Sequence, residues 1–361
     1  MTTLQTYGWN ETRAAQWSAL EGAATLTPAR VVADYGSHYM LATPELLRAQ
    51  LAGAAAHKLQ ATAMPKIGDW VAIEHSDGHA AIIHEVLPRT NEIVRGNAGH
   101  QLDKQVIAAN IDTAFVVQPL DHDFSPERLQ RYIFQLKSQS VEVIIILNKA
   151  DQCKDIDDKK QQLASLDARI ITISALKDED LSVVTELITP GKTIVILGSS
   201  GAGKSTLTNR LLGEQRQLTQ EVRERDSKGR HTTVHRELFV LPGGGMIVDT
   251  PGIRELQLWG NESDLEAMFA DVLEVVRHCH YSNCSHMTED RCAVKSGLAD
   301  GTLDKKRYDT YQNFKQELQA LEVRRGFIEE RRTVQSKESA KRYSKRSHQQ
   351  SAESERNSLD S

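Results

Sequence analysis

Long apolar runs are missing from this chain. None approaches the roughly 20 residues that a membrane-crossing helix needs, so no span and no membrane partner are expected. Cysteine is scarce as well: 4 in 361 residues is too few for a disulfide scaffold. Three of them crowd into one short stretch with a histidine, which suggests metal in a reducing compartment. Nor is there a dominant charge. The net charge of −5 argues against indiscriminate coating of nucleic acid, although a local basic patch stays open. Met1 to Asn10 carries neither a basic n-region nor a long apolar segment, so no secretion signal and a cytoplasmic location are expected. What remains is ordinary soluble composition, 39% hydrophobic and 26% charged, with length for two or three domains.

The most informative stretch is Gly198-Ser199-Ser200-Gly201-Ala202-Gly203-Lys204-Ser205-Thr206. It follows the apolar run Thr193 to Leu197, which reads as a buried parallel strand, and precedes a helical pattern (Leu207, Leu211, Leu212) closed by Gly213. Strand, glycine-rich loop, Lys-Ser and helix form a phosphate-binding loop in its required context. The glycines let backbone N–H groups converge on phosphate oxygens, and the helix N-terminus adds partial positive charge. Lys204 is expected to reach the β- and γ-phosphates, and Ser205 to hold Mg²⁺.

Asn148-Lys149-Ala150-Asp151 closes the strand Val141 to Leu147 and decides the base. A carboxylate at Asp151 can accept from both N1–H and the 2-amino group of guanine, whereas adenine offers no such donor pair. Asn148 can tie this loop to the phosphate loop, and the Lys149 stem can lie over the purine face. Ser174-Ala175 suits a second base loop, with the Ala175 N–H aimed at O6. Asp249-Thr250-Pro251-Gly252 supplies the metal-side acid: Asp249 toward Mg²⁺ and the Gly252 N–H toward the γ-phosphate. The polar stretch Asp226 to Thr233 reads either as a surface loop or as a switch in which Thr232 or Thr233 closes on Mg²⁺, and both can hold. In most GTPases the phosphate loop comes first; here both base loops precede it, the order a circular permutation produces.

Around this centre the organisation changes. Residues 1–27 are an extension in which Asn10 either caps a short helix or belongs to a partly ordered segment. Residues 28–98 read as a five-stranded oligonucleotide-binding (OB) barrel or as a plain β-domain that packs on its neighbour. Its hairpins turn at Asp34 to Ser37 and Ser76 to Gly78, and the Ala- and Leu-rich stretch Glu45 to Leu59 is ambiguous between strand and helix. Arg30, Lys66, Arg89 and Arg95 are candidate phosphate contacts there, or plain solvated surface. Residues 104–260 alternate strand and helix, including a helix opened by Ser125-Pro126. Residues 261–328 are helical around Cys279-x₄-Cys284-x-His286-x₅-Cys292, a full tetrahedral zinc set and therefore structural. His278 and His280 compete as ligands; His286 is preferred because it lies in a polar run between two of the cysteines. Residues 329–361 form a basic stretch and then a Ser- and Gln-rich end, read as a disordered tail or a phosphate-binding arm.

The combined motifs resemble the RsgA family of circularly permuted GTPases that depend on the small ribosomal subunit. The resemblance rests on Gly68-Asp69-Trp70-Val71, the permuted Asn148 to Asp151 and Gly198 to Thr206 boxes, and Gly229-Arg230-His231-Thr232-Thr233. It also rests on Asp249 to Leu256 and the Cys279/Cys284/His286/Cys292 set, and it runs from about Arg30 to Phe314. It implies a multidomain α/β chain with an N-terminal OB-type barrel, a permuted P-loop GTPase domain and a C-terminal α-helical zinc domain. It further implies 16S rRNA and the 30S subunit as partners, GTP hydrolysis stimulated by that subunit, and a role in late subunit maturation. One structural zinc, Mg²⁺ with GTP and a monomeric chain complete the expectation. The alternative is a GTP-regulated rRNA-binding module in which hydrolysis is secondary. Ile253 stands where many GTPases carry a water-orienting Gln, so another polar group must assist. His231, beside Thr233 in the switch, is the candidate, with Lys204 as the third catalytic residue; packing of the loop or an RNA contact is the other role open to His231.

Overall fold

The computed structural model describes residues 3–43, 45–53, 64–76, 80–96, 104–177, 180–213, 236–249, 260–324 and 326–327. It divides into two compact units, one running to residue 268 and the other comprising the residues from 269 onward. Among the described residues no helix is long and apolar enough to cross a membrane.

The N-terminal extension folds. After a 3-10 turn at Leu4–Tyr7 comes α1 (Glu11–Ser18), capped by Asn10, whose side chain accepts from the Arg13 N–H at 3.1 Å. The helix reading therefore holds over the partly ordered one. Trp9 packs edge-on against Trp17 and Trp70, with centroids 6.3 and 4.9 Å apart. Tyr7 joins the main apolar core.

The barrel follows: β1 (Thr27–Asp34), β2 (Tyr39–Ala42), β3 (Leu46–Leu51), β4 (Trp70–Ser76) and β5 (Ala80–Val86). The strands close in the order β1-β2-β3-β5-β4-β1, with β3 and β5 parallel and the other pairs antiparallel. This is a five-stranded OB-type barrel. Strand periodicity fills it: Ala29, Val31, Leu41, Val71, Ile73, Ala81 and Ile83 all point inward. The ambiguous Ala/Leu stretch supplies β3, so pairing with β2 and β5 overrides its local helical preference. A hairpin of β6 (Glu92–Gly96) and β7 (Lys104–Ala109) leads out of the barrel.

The nucleotide domain then adds β8 (Thr113–Pro119), α2 (Pro126–Lys137), β9 (Glu142–Asn148), α3 (Ile156–Gln162), β10 (Arg169–Thr172), α4 (Leu181–Glu186), β11 (Thr193–Gly198), α5 (Lys204–Leu212), β12 (Arg236–Val240), β13 (Met246–Asp249) and α6 (Glu262–Met268). Strands β10-β9-β8-β11-β13 are parallel and β12 runs antiparallel at their end. Ser125 caps α2 as expected, accepting from the Arg128 N–H at 3.2 Å, and Leu129, Ile133 and Leu136 face the sheet core. The parallel order brings the C-terminal ends of β8, β9, β10 and β11 together, where open α/β sheets hold ligands. Barrel and nucleotide domain share one sheet, because β12 also pairs with β1 (Ala33 with Glu237, Asp34 with Arg236).

Three of the four cations considered for phosphate contact are already engaged inside the fold. Arg30 is fully buried; it donates to the carbonyls of Tyr7, Gly68 and Asn110 and lies 5.5 Å from the Trp70 ring centroid. Burial lowers its pKa to about 10, with Asp112 pulling the other way. Arg89 forks onto the buried Asp69 carboxylate at 2.9 and 2.7 Å, and Lys66 pairs with Asp34 at 3.1 Å. Their partners come from distant sequence, which no local pattern announces. The side chain of Arg95 lies outside the described residues.

In the second unit α7 (Ala270–Arg277) and α8 (Ala293–Asp300) pack on each other, and Phe269 meets Tyr311 and Phe314 of α9 (305–324) at 5.6 and 5.8 Å. Arg307 lies 4.3 Å over the Phe269 ring and forks onto Asp271 with both distances 3.0 Å. The tail at 329–361 falls outside the described residues.

Candidate guanine-nucleotide site and metal centre

The phosphate loop connects β11 to α5. Its glycines stand in the left-handed region, with φ of +138° at Gly198, +78° at Gly201 and +92° at Gly203. Side chains there would also collide: a Cβ on Gly198 would sit 2.2 Å from the Val117 carbonyl oxygen, and one on Gly203 would sit 2.2 Å from Asn148 Nδ2. Lys204 Nζ donates to the carbonyls of Gly198 and Ser199 at 2.9 and 2.5 Å. The ammonium is thus held beside the loop. Ser200 and Gly201 are exposed, Ala202 is buried, and Ser205 and Thr206 sit half-buried in the first turn of α5.

Asn148 ties the base loop to the phosphate loop. Its Nδ2 donates to the Ala202 carbonyl at 2.9 Å, and its Oδ1 accepts from the Ala175 N–H at 3.0 Å. The second bond differs from the sequence expectation, since it uses the donor assigned to guanine O6. Asp151 is oriented by the Ser174 hydroxyl, which donates to Oδ1 at 2.7 Å. Lys149 has a left-handed backbone at φ +65° and its ammonium contacts Asp121 Oδ2 at 2.8 Å. Partial burial pushes Asp121 upward, but the Lys149 ammonium and the Asp123 N–H outweigh it and hold the carboxyl below its ordinary range. Ser199 donates to Asp123 Oδ2 at 2.6 Å. Asp121 and Asp123 were not singled out in the sequence; their signal is an Asp-x-Asp just past the end of β8, on the ligand side of the sheet.

The sheet thus brings together Asn148, Lys149, Asp151, Ser174, Ala175 and Gly198 to Thr206. Asp249 ends β13, beside β11 in the sheet, but its side chain lies outside the described residues, as do Thr250 to Gly252 and the switch with His231, Thr232 and Thr233.

The metal set lies in the second unit. The ligand atoms of Cys279, Cys284, His286 and Cys292 all fall within 4.8 Å of one another. With Zn–S about 2.3 Å and Zn–N about 2.0–2.1 Å, a tetrahedron has S···S edges of about 3.8 Å and S···N edges of about 3.5 Å. Cys279 and Cys292 Sγ are 3.9 Å apart, and each lies 3.5 Å from His286 Nδ1. The residues therefore fit one zinc. The competing histidines are placed elsewhere: His278 Nδ1 meets the Glu274 carbonyl at 2.7 Å, and His280 packs on Tyr281. Glu289, a residue the sequence reading missed, accepts from the N–H groups of Ser285, Met287 and Thr288 and shapes the loop around His286. The Ser285 hydroxyl and the backbone N–H groups of Ser285, Glu289 and Met287 bring its carboxyl down to about 2. Cys292 also caps α8, with its sulfur 3.5 Å from the Lys295 N–H.

An Asn-Lys-x-Asp loop ahead of the phosphate loop on a mostly parallel sheet is the arrangement of a circularly permuted P-loop GTPase. A family model described as RsgA GTPase matches residues 86–259. The small ribosomal subunit biogenesis GTPase RsgA of Opitutus terrae is 37% identical over 337 residues, covering 90% of this chain and 91% of the relative. Its counterpart in Xanthomonas axonopodis pv. citri is 40% identical over 329 residues, covering 88% of each. In fold the chain is similar to the crystal structure of YjeQ from Thermotoga maritima, with a TM-score of 0.58 at 23% identity over 81% of this chain and 98% of that one. The chain belongs to the RsgA GTPase family.

Proposed function

We propose that this chain binds the 30S ribosomal subunit and hydrolyses GTP in a subunit-stimulated manner during late maturation of that subunit. The observation that carries the nucleotide part is the Asn148 bridge, which fixes a carboxylate-bearing base loop against a phosphate loop. The 30S part is supported by relatives named small ribosomal subunit biogenesis GTPase and by the OB-type barrel, a fold suited to RNA. In this reading Asp151 selects guanine, the Lys149 stem covers the purine, and the Gly198 to Thr206 backbone with Lys204 receives the phosphates. Ser205, Thr233 and Asp249 hold Mg²⁺, which screens phosphate charge when bound, and Gly252 senses the γ-phosphate. His231 orients the attacking water in place of the Gln that Ile253 replaces. Cys279, Cys284, His286 and Cys292 hold one structural zinc. The chain acts as a cytoplasmic monomer on 16S rRNA.

GTP turnover measured with and without 30S subunits tests the proposal. Stimulation in the wild type, lost in His231→Ala with GTP affinity kept, is expected. Turnover indifferent to 30S subunits overturns the central claim, and unchanged stimulated turnover in His231→Ala removes the role given to His231.

A further inference from the structure

The loop after β8 touches both halves of the nucleotide site. Asp121 Oδ1 accepts from the Asp123 N–H at 2.9 Å, which leaves Oδ2 for the Lys149 ammonium at 2.8 Å. Asp123 Oδ2 takes the Ser199 hydroxyl at 2.6 Å, and its Oδ1 lies 2.9 Å from Arg128. The loop backbone is fixed as well: Gln118 Nε2 donates to the Asp123 carbonyl at 2.8 Å, and Lys159 donates to the Leu120 carbonyl at 3.0 Å. Lys159 also lies 5.6 Å over the Phe124 ring. The loop is thus braced from α2 and α3 and presents one carboxylate to each half of the site.

We propose that Asp121 is a positioning residue for the purine: its carboxylate holds the Lys149 ammonium, and with it the Lys149 stem, while Asp123 anchors the same loop to the phosphate loop through Ser199. This rests on the guanine-site reading given above. A lysine stem has four rotatable carbons, and an unheld one loses that freedom when a base stacks on it. Holding its far end before nucleotide arrives removes part of that cost. Asp121 points at the lysine and not at the base, so it acts through Lys149.

The effect should fall on the base alone. Asp121→Asn keeps the shape and an oxygen for the Asp123 N–H and removes the charge that holds Lys149. Stopped-flow release of a fluorescent GDP reads the base plus phosphates; competition by inorganic tripolyphosphate reads the phosphate loop without a base. Asp121→Asn should release GDP about fivefold faster and leave tripolyphosphate competition unchanged. Added to Lys149→Met, it should have no further effect. Asp121→Ser, which also keeps an acceptor, is the second variant if the first does not fold. Release at the wild-type rate overturns the proposal, and so do equal losses for GDP and tripolyphosphate, which would mean a loosened fold. A wild-type chain that does not prefer GDP to ADP defeats the guanine-site reading itself. Preference for GDP with a silent Asp121→Asn defeats only the role of Asp121.

Discussion

At the scale of single residues, Gly203 and Asn148 form the tightest point of the site. The Gly203 backbone sits at φ +92°, and any Cβ there would press 2.2 Å from the amide that bridges the two loops. Gly203→Ala should therefore displace Asn148 and uncouple base loop from phosphate loop. The strain and the lost buried hydrogen bonds together come to roughly 2 kcal/mol or more, so GDP affinity should fall about 30-fold or further. Titration calorimetry with GDP, alongside circular dichroism to confirm the fold, checks this; wild-type affinity would show that the loops are not coupled through this contact. Residues of this kind are legible in the sequence because Gly-x-x-x-x-Gly-Lys-Ser and Asn-Lys-x-Asp are local patterns with one chemical purpose. Arg30 and Arg89 are not. Each looks like a surface cation until the fold brings carbonyls and a carboxylate to it from positions 20 to 80 residues away.

Elements show the same division. Strands β8, β9 and β11 and helix α2 stand out because each carries an uninterrupted apolar run or a capped amphipathic pattern. Strand β3 does not, since its Ala- and Leu-rich residues become a strand only through pairing with β2 and β5. The zinc loop lies between these cases: its ligand spacing and the preference for His286 are visible in the sequence, whereas the contacts that hold His278 and His280 away from the cluster appear only in the fold. That loop links α7 to α8, and Cys292, one of the four residues that fit a zinc, also caps α8. The second unit should therefore depend on its metal for its helices. Purified protein should carry one zinc per chain by atomic emission. Cys284→Ser should bring it near zero and reduce the helical circular dichroism, while Cys153→Ser should keep both. Full helicity in a zinc-free Cys284→Ser chain would show that packing around Phe269 suffices.

For the first unit as a whole, the deciding feature is the shared sheet. Strand β1 closes the barrel through β4 and β2, and its far end pairs with β12, next to β13. The outer faces of β1 and β4 are not free surface: Val32, Trp70 and Ala72 share one apolar core with Val195, Leu197 and Val248 of the nucleotide domain. Opening the barrel would expose that core, so barrel and nucleotide domain should unfold as one cooperative unit. Nucleotide binding stabilises only the folded state, by about 2.7 kcal/mol at a ligand concentration 100 times Kd. If the unit is cooperative, that stabilisation must reach amides that never touch nucleotide. Hydrogen exchange followed by mass spectrometry should then show GDP slowing the β1 and β4 amides by about the same factor as those of β8 and β11, roughly a hundredfold. Slowing confined to β8 through β13 would mean that the barrel opens on its own and that the β1–β12 pairing is too weak to couple the two. The outcome bears on signalling in either direction, because β12 and β13 flank the segments read as switches. A barrel that shares their sheet is placed to feel their ordering, whereas a barrel that opens independently is not.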